Sequence, residues 1–221
     1  MTKFYTIIIP VFNEEAKIKE LLFNLKRYFD QGHEILVVDD GSTDKSNNIL
    51  SQSNWINLVT LNENRGKGFA LKKALELSKN EKIVIFDGDL ELHPDQIVKL
   101  MQLNEDGNPN YILGSRMFNK NYSAIIWTLG NTLLTKLFNI KHNSAIEDAL
   151  CCAKSFHKTD IKWKSLKSER FDIDVELTKM LCQSELEPKI IHLYYNRRYS
   201  KDGKKLKLWD SLSIIKRILI N

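Results

Sequence analysis

The run Lys82-Ile83-Val84-Ile85-Phe86-Asp87-Gly88-Asp89-Leu90-Glu91 sets the reading of the chain. Lys82 to Phe86 has the short apolar character of a buried strand, and three acids follow at once. Upstream, Gly66 to Leu77 reads as a helix with Ala70, Ala74 and Leu77 on one face, and Leu58 to Leu61 as a short strand. Glu34 to Val38 is a further strand, and Asp39-Asp40-Gly41-Ser42-Thr43-Asp44 is a loop that caps the helix through Ile49 and Leu50. Before it, Ile18, Leu21, Leu22, Leu25 and Tyr28 recur at helical spacing, Gly32 ends that helix, and Phe4 to Val11 is the first strand. Strands alternating with amphipathic helices predict an α/β fold, with a mostly parallel sheet covered by helices on both faces.

Ligands of such sheets bind at the carboxyl ends of the strands. Three polar motifs fall there: Pro10-Val11-Phe12-Asn13-Glu14, Asp39-Asp40 and Asp87-Gly88-Asp89. Carboxylates at a strand end are hard oxygen ligands suited to Mg2+ or Mn2+, and a diphosphate completes the coordination shell. Continued as a strand, or folded as a turn at Gly88, the segment brings Asp87, Asp89 and Glu91 to one cation, and Gly88 lets the backbone approach a ligand. Taken singly, the same residues equally make a solvated turn, a helix cap at Asn13-Glu14 and a capped loop after Asp39. Their shared position at one sheet edge favours a site.

Beyond Gly88 the pattern is less regular. One strand is expected at Tyr111 to Leu113, an apolar helix around Ala124 to Phe138, another near Asp174 to Cys182, and an amphipathic helix from Leu208 through Leu219. The 221 residues, 43% hydrophobic and 28% charged, suit one domain with one sizeable core, and four prolines and nine glycines leave no linker. The first part, 1–116, carries the strand-end motifs, and 117–221 carries the less regular remainder with a basic loop. Cys151, Cys152 and Cys182 lack metal-ligand spacing and read as reduced packing thiols. The amino terminus has no secretory pattern and no run reaches the roughly 20 apolar residues of a spanning helix, so a cytoplasmic chain is expected, with peripheral membrane contact open. The net charge of +5 is uneven, with Arg197, Arg198, Lys201, Lys204, Lys205 and Lys207 close together. Such a patch suits phosphates or an anionic membrane, while the acidic strand ends and the lack of a recognition motif argue against nucleic acid.

Five segments together resemble the family 2 inverting glycosyltransferases of the GT-A fold: Ile8-Ile9-Pro10-Val11-Phe12-Asn13-Glu14-Glu15, Val37-Val38-Asp39-Asp40-Gly41-Ser42-Thr43-Asp44, Asn64-Arg65-Gly66-Lys67-Gly68, Phe86-Asp87-Gly88-Asp89 and Gly114-Ser115-Arg116. Later segments, Glu147 to Lys154, Arg170 to Glu176, Tyr195 to Arg198 and Asp202 to Lys205, are similar to the polyprenyl-phosphate hexose synthases, such as dolichyl-phosphate mannose synthase. That branch more often has glutamine where this chain has Glu91.

The resemblance implies a Rossmann-like nucleotide-diphospho-sugar transferase of three layers. Pro10, Phe12, Glu14, Asp39 and Asp40 would hold the nucleoside with Lys67 nearby, and Asp87, Gly88 and Asp89 would meet ribose, diphosphate and metal. Asp89, Glu91 and Asp87 are the expected metal ligands. Arg116, Arg198 and Lys204 supply positive charge to phosphates, and Asp148 is the acceptor-side carboxylate, giving a catalytic set of Asp148, Arg116 and Asp89. The expected donor is a UDP- or GDP-hexose and the acceptor a polyprenyl phosphate, undecaprenyl or dolichyl. A saccharide hydroxyl in cell-surface polysaccharide synthesis is the nearest alternative, and a non-catalytic nucleotide-binding module is a third. An ionised phosphate acceptor needs no general base, whereas a hydroxyl does.

Overall fold

The computed structural model describes residues 3–103, 109–118, 125–183, 188–198 and 210–220. Its strands are β1 (Tyr5–Val11), β2 (Glu34–Asp39), β3 (Asn57–Thr60), β4 (Lys82–Ile85), β5 (Tyr111–Phe118), β6 (Lys154–His157) and β7 (Lys189–Tyr195). Its helices are α1 (Glu15–Asp30), α2 (Ser46–Ser51), α3 (Lys67–Leu77), α4 (Ile97–Leu100), α5 (Ile125–His142), α6 (Ile173–Cys182) and α7 (Asp210–Leu219). They build one seven-stranded sheet in the order β3-β2-β1-β4-β6-β5-β7. Every pairing is parallel except those of β6, which runs antiparallel to β4 and to β5.

Strand alternation sorts the core into two layers. Ile7, Ile9 and Val11 of β1 face the apolar side of α1 (Ile18, Leu21, Leu25), together with Leu50 of α2 and Ile97 of α4. Ile8 of β1, Leu36 and Val38 of β2 and Ile83 of β4 face Ala70, Leu71, Ala74 and Leu75 of α3, with α5, α6 and α7 completing that side. The predicted three-layer α/β/α arrangement is the one formed. β4 and β6 are buried along nearly their whole length, as a central pair must be.

The register positions the site. Val11 pairs with Asp39 and Ile85 with Ile8, so the chain leaves β1, β2 and β4 at one edge of the sheet. β4 ends at Ile85, and Leu90 has a φ of 59°, in the left-handed region that only a turn would impose on leucine. Asp87 to Leu90 is therefore a turn rather than a continued strand.

The second half departs further from the sequence reading. The strand expected at Tyr111 to Leu113 runs on to Phe118, and β6 and β7 are additional. β6 has no apolar signature because its Lys154 and Ser155 are buried polar residues: Lys154 donates to the backbone carbonyl of Cys151, within the core. The apolar helix extends to His142 rather than stopping at Phe138.

Two glycines bring the halves together. Gly66 precedes α3 with a φ of 94°, and the amides of Gly68 and Phe69 donate to the carbonyl of Glu169 at 2.8 and 3.2 Å. A Cβ on Gly68 would lie 2.4 Å from the carbonyl oxygen of Ser168, a backbone clash that side-chain rotation cannot relieve. Gly68→Ala is expected to destabilise the chain by roughly 1–3 kcal/mol, the usual cost of overpacking. A urea denaturation midpoint equal to wild type would show that α3 and the 168–169 segment do not meet this closely.

Candidate active site

The turn after β4, the turn after β1, the start of α3, the start of α6 and the end of β7 converge on a cavity of about 580 Å³. Lys67, the first residue of α3, reaches across it. Its Nζ lies 2.8 Å from Asp87 Oδ1 and 2.9 Å from Asp174 Oδ2, with the lysine and Asp174 side chains almost entirely buried. Burial alone would favour the neutral amine, but Asp174 and Asp87 outweigh it and hold the Lys67 pKa well above its ordinary value. Asp87, which burial would push up, is instead lowered by Lys67.

The second ion-pair centre is Arg198, just beyond β7. Its guanidinium binds Glu14 through both ends, Nη1 at 2.8 Å and Nη2 at 2.9 Å, and Nη2 also reaches Asp89 Oδ2 at 3.1 Å. The bidentate fork is the strongest of the common ion-pair geometries. Glu91 faces the same segment from behind: Tyr195 donates its hydroxyl to one carboxylate oxygen, and the Arg198 amide donates to the other at 2.8 Å. Asp89 is the electrostatic outlier. Burial, then the neighbouring Asp87 and Glu91 carboxylates, push its pKa up to about 7, against the lowering effect of Arg198.

Asp40 lines the cavity, accepting the Arg65 and Gly66 amides at 2.8 Å each, and burial keeps its pKa raised despite those bonds. Pro10, Phe12, Glu14, Lys67, Asp87, Gly88, Asp89, Glu91, Arg116 and Arg198 line the cavity as well. At Gly88 a Cβ would fall 2.9 Å from Val11 Cγ2, so the chain passes too close to β1 for any side chain.

Two expected residues lie behind the wall. Asp39 is fully buried, with its carboxylate taken by the Ser42 amide at 3.0 Å and Asn47 Nδ2 at 2.8 Å, and it shapes the loop that carries Asp40. Asp148 accepts Arg116 Nε at 2.7 Å and Nη2 at 2.8 Å, and Asn131 Nδ2 at 3.1 Å. Burial would raise its pKa, but Arg116 and Asn131 hold it below the ordinary carboxylate range. Its geometry is that of a partner orienting Arg116, not of a base facing a substrate. Lys204 lies outside the described residues.

The expected metal set of Asp87, Asp89 and Glu91 is not gathered around one point. Among the described residues no three His, Cys, Asp or Glu side chains gather to hold an ion. Leu90 turns the chain, and Glu91 spends both oxygens on Tyr195 and Arg198. Asp87 and Asp89 remain adjacent hard donors in a wall where Glu14, Asp87, Asp89, Glu91 and Asp174 share Lys67 and Arg198. The crowding of Asp89 by the Asp87 and Glu91 carboxylates fits a divalent cation whose other ligands are diphosphate oxygens and water.

Asp174 is the cavity residue that local pattern did not single out. Asp172, Asp174 and Glu176 all suit a helix start. Asp172 and Glu176 turn to Arg217, at 3.1 and 3.3 Å, whereas Asp174 turns to Lys67. Tyr195, Asn131 and Cys152 likewise reach the wall from elements whose position the sequence pattern did not specify.

Comparison with known proteins agrees with this geometry. Residues 6–162 match the family model described as glycosyl transferase family 2. An undecaprenyl-phosphate 4-deoxy-4-formamido-L-arabinose transferase of Pseudomonas savastanoi pv. phaseolicola is 30% identical over 169 residues, 71% of this chain and 48% of that protein. An uncharacterized protein of Methanocaldococcus jannaschii is 31% identical over 179 residues, 77% of this chain and 72% of its own. The chain thus spans about half the length of the arabinose transferases it matches. Among solved structures, glucosyl-3-phosphoglycerate synthase from Mycobacterium tuberculosis with Mn2+, UDP and phosphoglyceric acid superposes with a TM-score of 0.72 at 16% identity, covering 97% of this chain and 75% of that one. Mannosyl-3-phosphoglycerate synthase from Rubrobacter xylanophilus gives 0.75 at 12% identity, covering 97% and 71%. At these identities the likeness establishes the GT-A fold.

The raised Asp89 pKa has a stability consequence. Between its ordinary value of 3.8 and about 7 the folded chain holds a proton that the unfolded chain has released, so stability falls as pH rises through that window. Asp89→Asn removes the liability. In cation-free buffer the variant is expected to melt above wild type at pH 8, with the difference vanishing towards pH 4; equal melting temperatures at pH 8 would show that the Asp89 carboxylate is not destabilised.

Proposed function

The chain belongs to glycosyl transferase family 2, and from that premise we propose that it moves a hexose from a UDP- or GDP-sugar to a polyprenyl phosphate, with inversion at the anomeric carbon. The observation that carries this reading is the state of the cavity's carboxylates. Lys67 engages Asp87 and Asp174, Arg198 engages Glu14 and Asp89, Tyr195 and the Arg198 amide engage Glu91, and Asp148 lies behind Arg116. Asp148, the carboxylate expected on the acceptor side, is held by Arg116 and Asn131 outside the cavity lining and is not poised to take a proton from an acceptor hydroxyl. A phosphate acceptor is ionised at neutral pH and requires only to be positioned.

In this reading the nucleoside lies between Pro10, Phe12 and Asp40, and the diphosphate between the turn after β4 and Arg198. Exchange of Arg198 from carboxylate to phosphate partners would keep its fork satisfied while bringing positive charge to the leaving group. A divalent cation at Asp87 and Asp89 would neutralise the same leaving diphosphate. Arg116, fixed by Asp148 and Asn131, presents a guanidinium to the cavity wall, suited to an anionic acceptor. Leu134 of α5, Leu150, Phe171 and Ile214 of α7 add apolar wall nearby, suited to the first isoprene units. The relatives named as undecaprenyl-phosphate transferases support the lipid acceptor, and the phosphoglycerate synthases that share the fold are named for an anionic product.

The test is to incubate the purified chain and Mn2+ with UDP-glucose, UDP-N-acetylglucosamine or GDP-mannose and a short, water-soluble polyprenyl phosphate. A lipid-linked product of inverted anomeric configuration is expected from one of these α-linked donors, with no product on neutral oligosaccharides. Transfer to an oligosaccharide but not to the lipid phosphate would overturn the acceptor assignment, and transfer to neither would leave the reading without its reaction.

A further inference from the structure

Helices α5 and α7 pack against each other and both supply cavity wall, Asn131 and Leu134 from α5 and Ile214 from α7. Other faces of the same helices meet solvent. On α5, Leu129, Leu133 and Ile140 are 62%, 68% and 81% exposed. Lys136, also exposed, falls between them, and the helical repeat puts all four on one stripe. On α7, Leu212 and Leu219 are 60% and 50% exposed, and exposed Lys216 lies between them on successive turns. Ile125–His142 contains no Asp or Glu, and the only acid of α7 is Asp210 at its start.

Single exposed leucines are ordinary, but two neighbouring helices that each carry leucines with a central lysine and no acid between them form a patterned surface. A second copy of the chain is a poor match, because a two-fold contact would press each lysine against the same acid-free stripe. An anionic bilayer matches both components: the leucines enter the headgroup boundary and the lysines meet lipid phosphates. We propose that the exposed stripes of α5 and α7 dock on an anionic membrane surface. The cavity wall lies on other faces of the same helices; entry of a lipid acceptor from this surface rests on the polyprenyl-phosphate reading, whereas docking itself does not.

The test is cosedimentation of the full chain with vesicles of phosphatidylcholine alone or mixed with phosphatidylglycerol. Binding is expected on the anionic vesicles, weakened by salt. Lys136→Gln with Lys216→Gln is expected to weaken it on the order of thirty-fold, from the usual contribution of a lysine near an anionic surface, and Leu133→Glu with Leu212→Glu to abolish it. All four positions are exposed and outside the cavity wall, so melting temperatures and transfer to a soluble short-chain acceptor should stay at wild-type levels. Absence of binding, equal binding by the variants, or equal binding to neutral vesicles would overturn the proposal. So would a wild-type dimer that Leu133→Glu with Leu212→Glu makes monomeric. Vesicle binding without transfer to the soluble acceptor would instead fault the acceptor assignment and leave the docking surface standing.

Discussion

The ion pair that Lys67 makes with Asp87 and Asp174 is the interaction on which the rest of this structure depends. Asp87 belongs to the turn after β4, Lys67 to the start of α3 and Asp174 to the first turn of α6, so one ammonium ties the strand-end motif to both halves of the chain. Desolvating a lysine and two carboxylates is costly, and only their mutual attraction offsets it; removing one partner from such a buried set typically costs about 3–5 kcal/mol. The close approach at Gly68 makes the arrangement possible, because α3 can reach the 168–169 segment only where no side chain intervenes.

Arg198 does for the outer side of the site what Lys67 does for the inner. Its bidentate pair with Glu14 joins the turn after β1 to the end of β7, and its contact with Asp89 offsets the acid most burdened by its neighbours. The two cations differ in what they can later do. Lys67 is enclosed between two carboxylates, whereas Arg198 lies on the cavity wall beside the turn after β4. On the proposed function, an incoming diphosphate would recruit the arginine and leave the Lys67 pairs in place.

Much of the fold was legible because the first half obeys simple periodicity. β1, β2, β3 and β4 are apolar runs, and α1 and α3 show their buried stripe. β6 was illegible for a physical reason: its Lys154 and Ser155 look like surface residues and are buried by tertiary packing. β7 alternates, with exposed Tyr194 beside buried Leu193 and Tyr195, a pattern that its role as an edge strand explains only after the sheet is known. The site was legible as a set of strand ends but not as a set of pairings. Asp39 and Asp40 are adjacent in sequence, yet one is sealed in its loop and the other faces the cavity. Glu91 follows Asp87 and Asp89 at strand spacing, yet the left-handed Leu90 sends it to Tyr195. Asp148, which the resemblance makes an acceptor-side carboxylate, binds Arg116 and Asn131 in the structure. The pairings of Glu91 with Tyr195 and of Lys67 with Asp174 join residues more than a hundred apart, and local patterns do not encode them.

The central claim is that the acids around Lys67 and Arg198 receive a nucleoside diphosphate together with a divalent cation. Calorimetric titration of UDP and of GDP, each with and without Mn2+, addresses it directly. The account predicts that one of the two nucleotides binds with Mn2+ present and at least about tenfold more weakly without it, since diphosphate oxygens and the Asp87–Asp89 pair complete each other's coordination. Absence of binding by both nucleotides in the presence of Mn2+, or equal affinity with and without the ion, would contradict it.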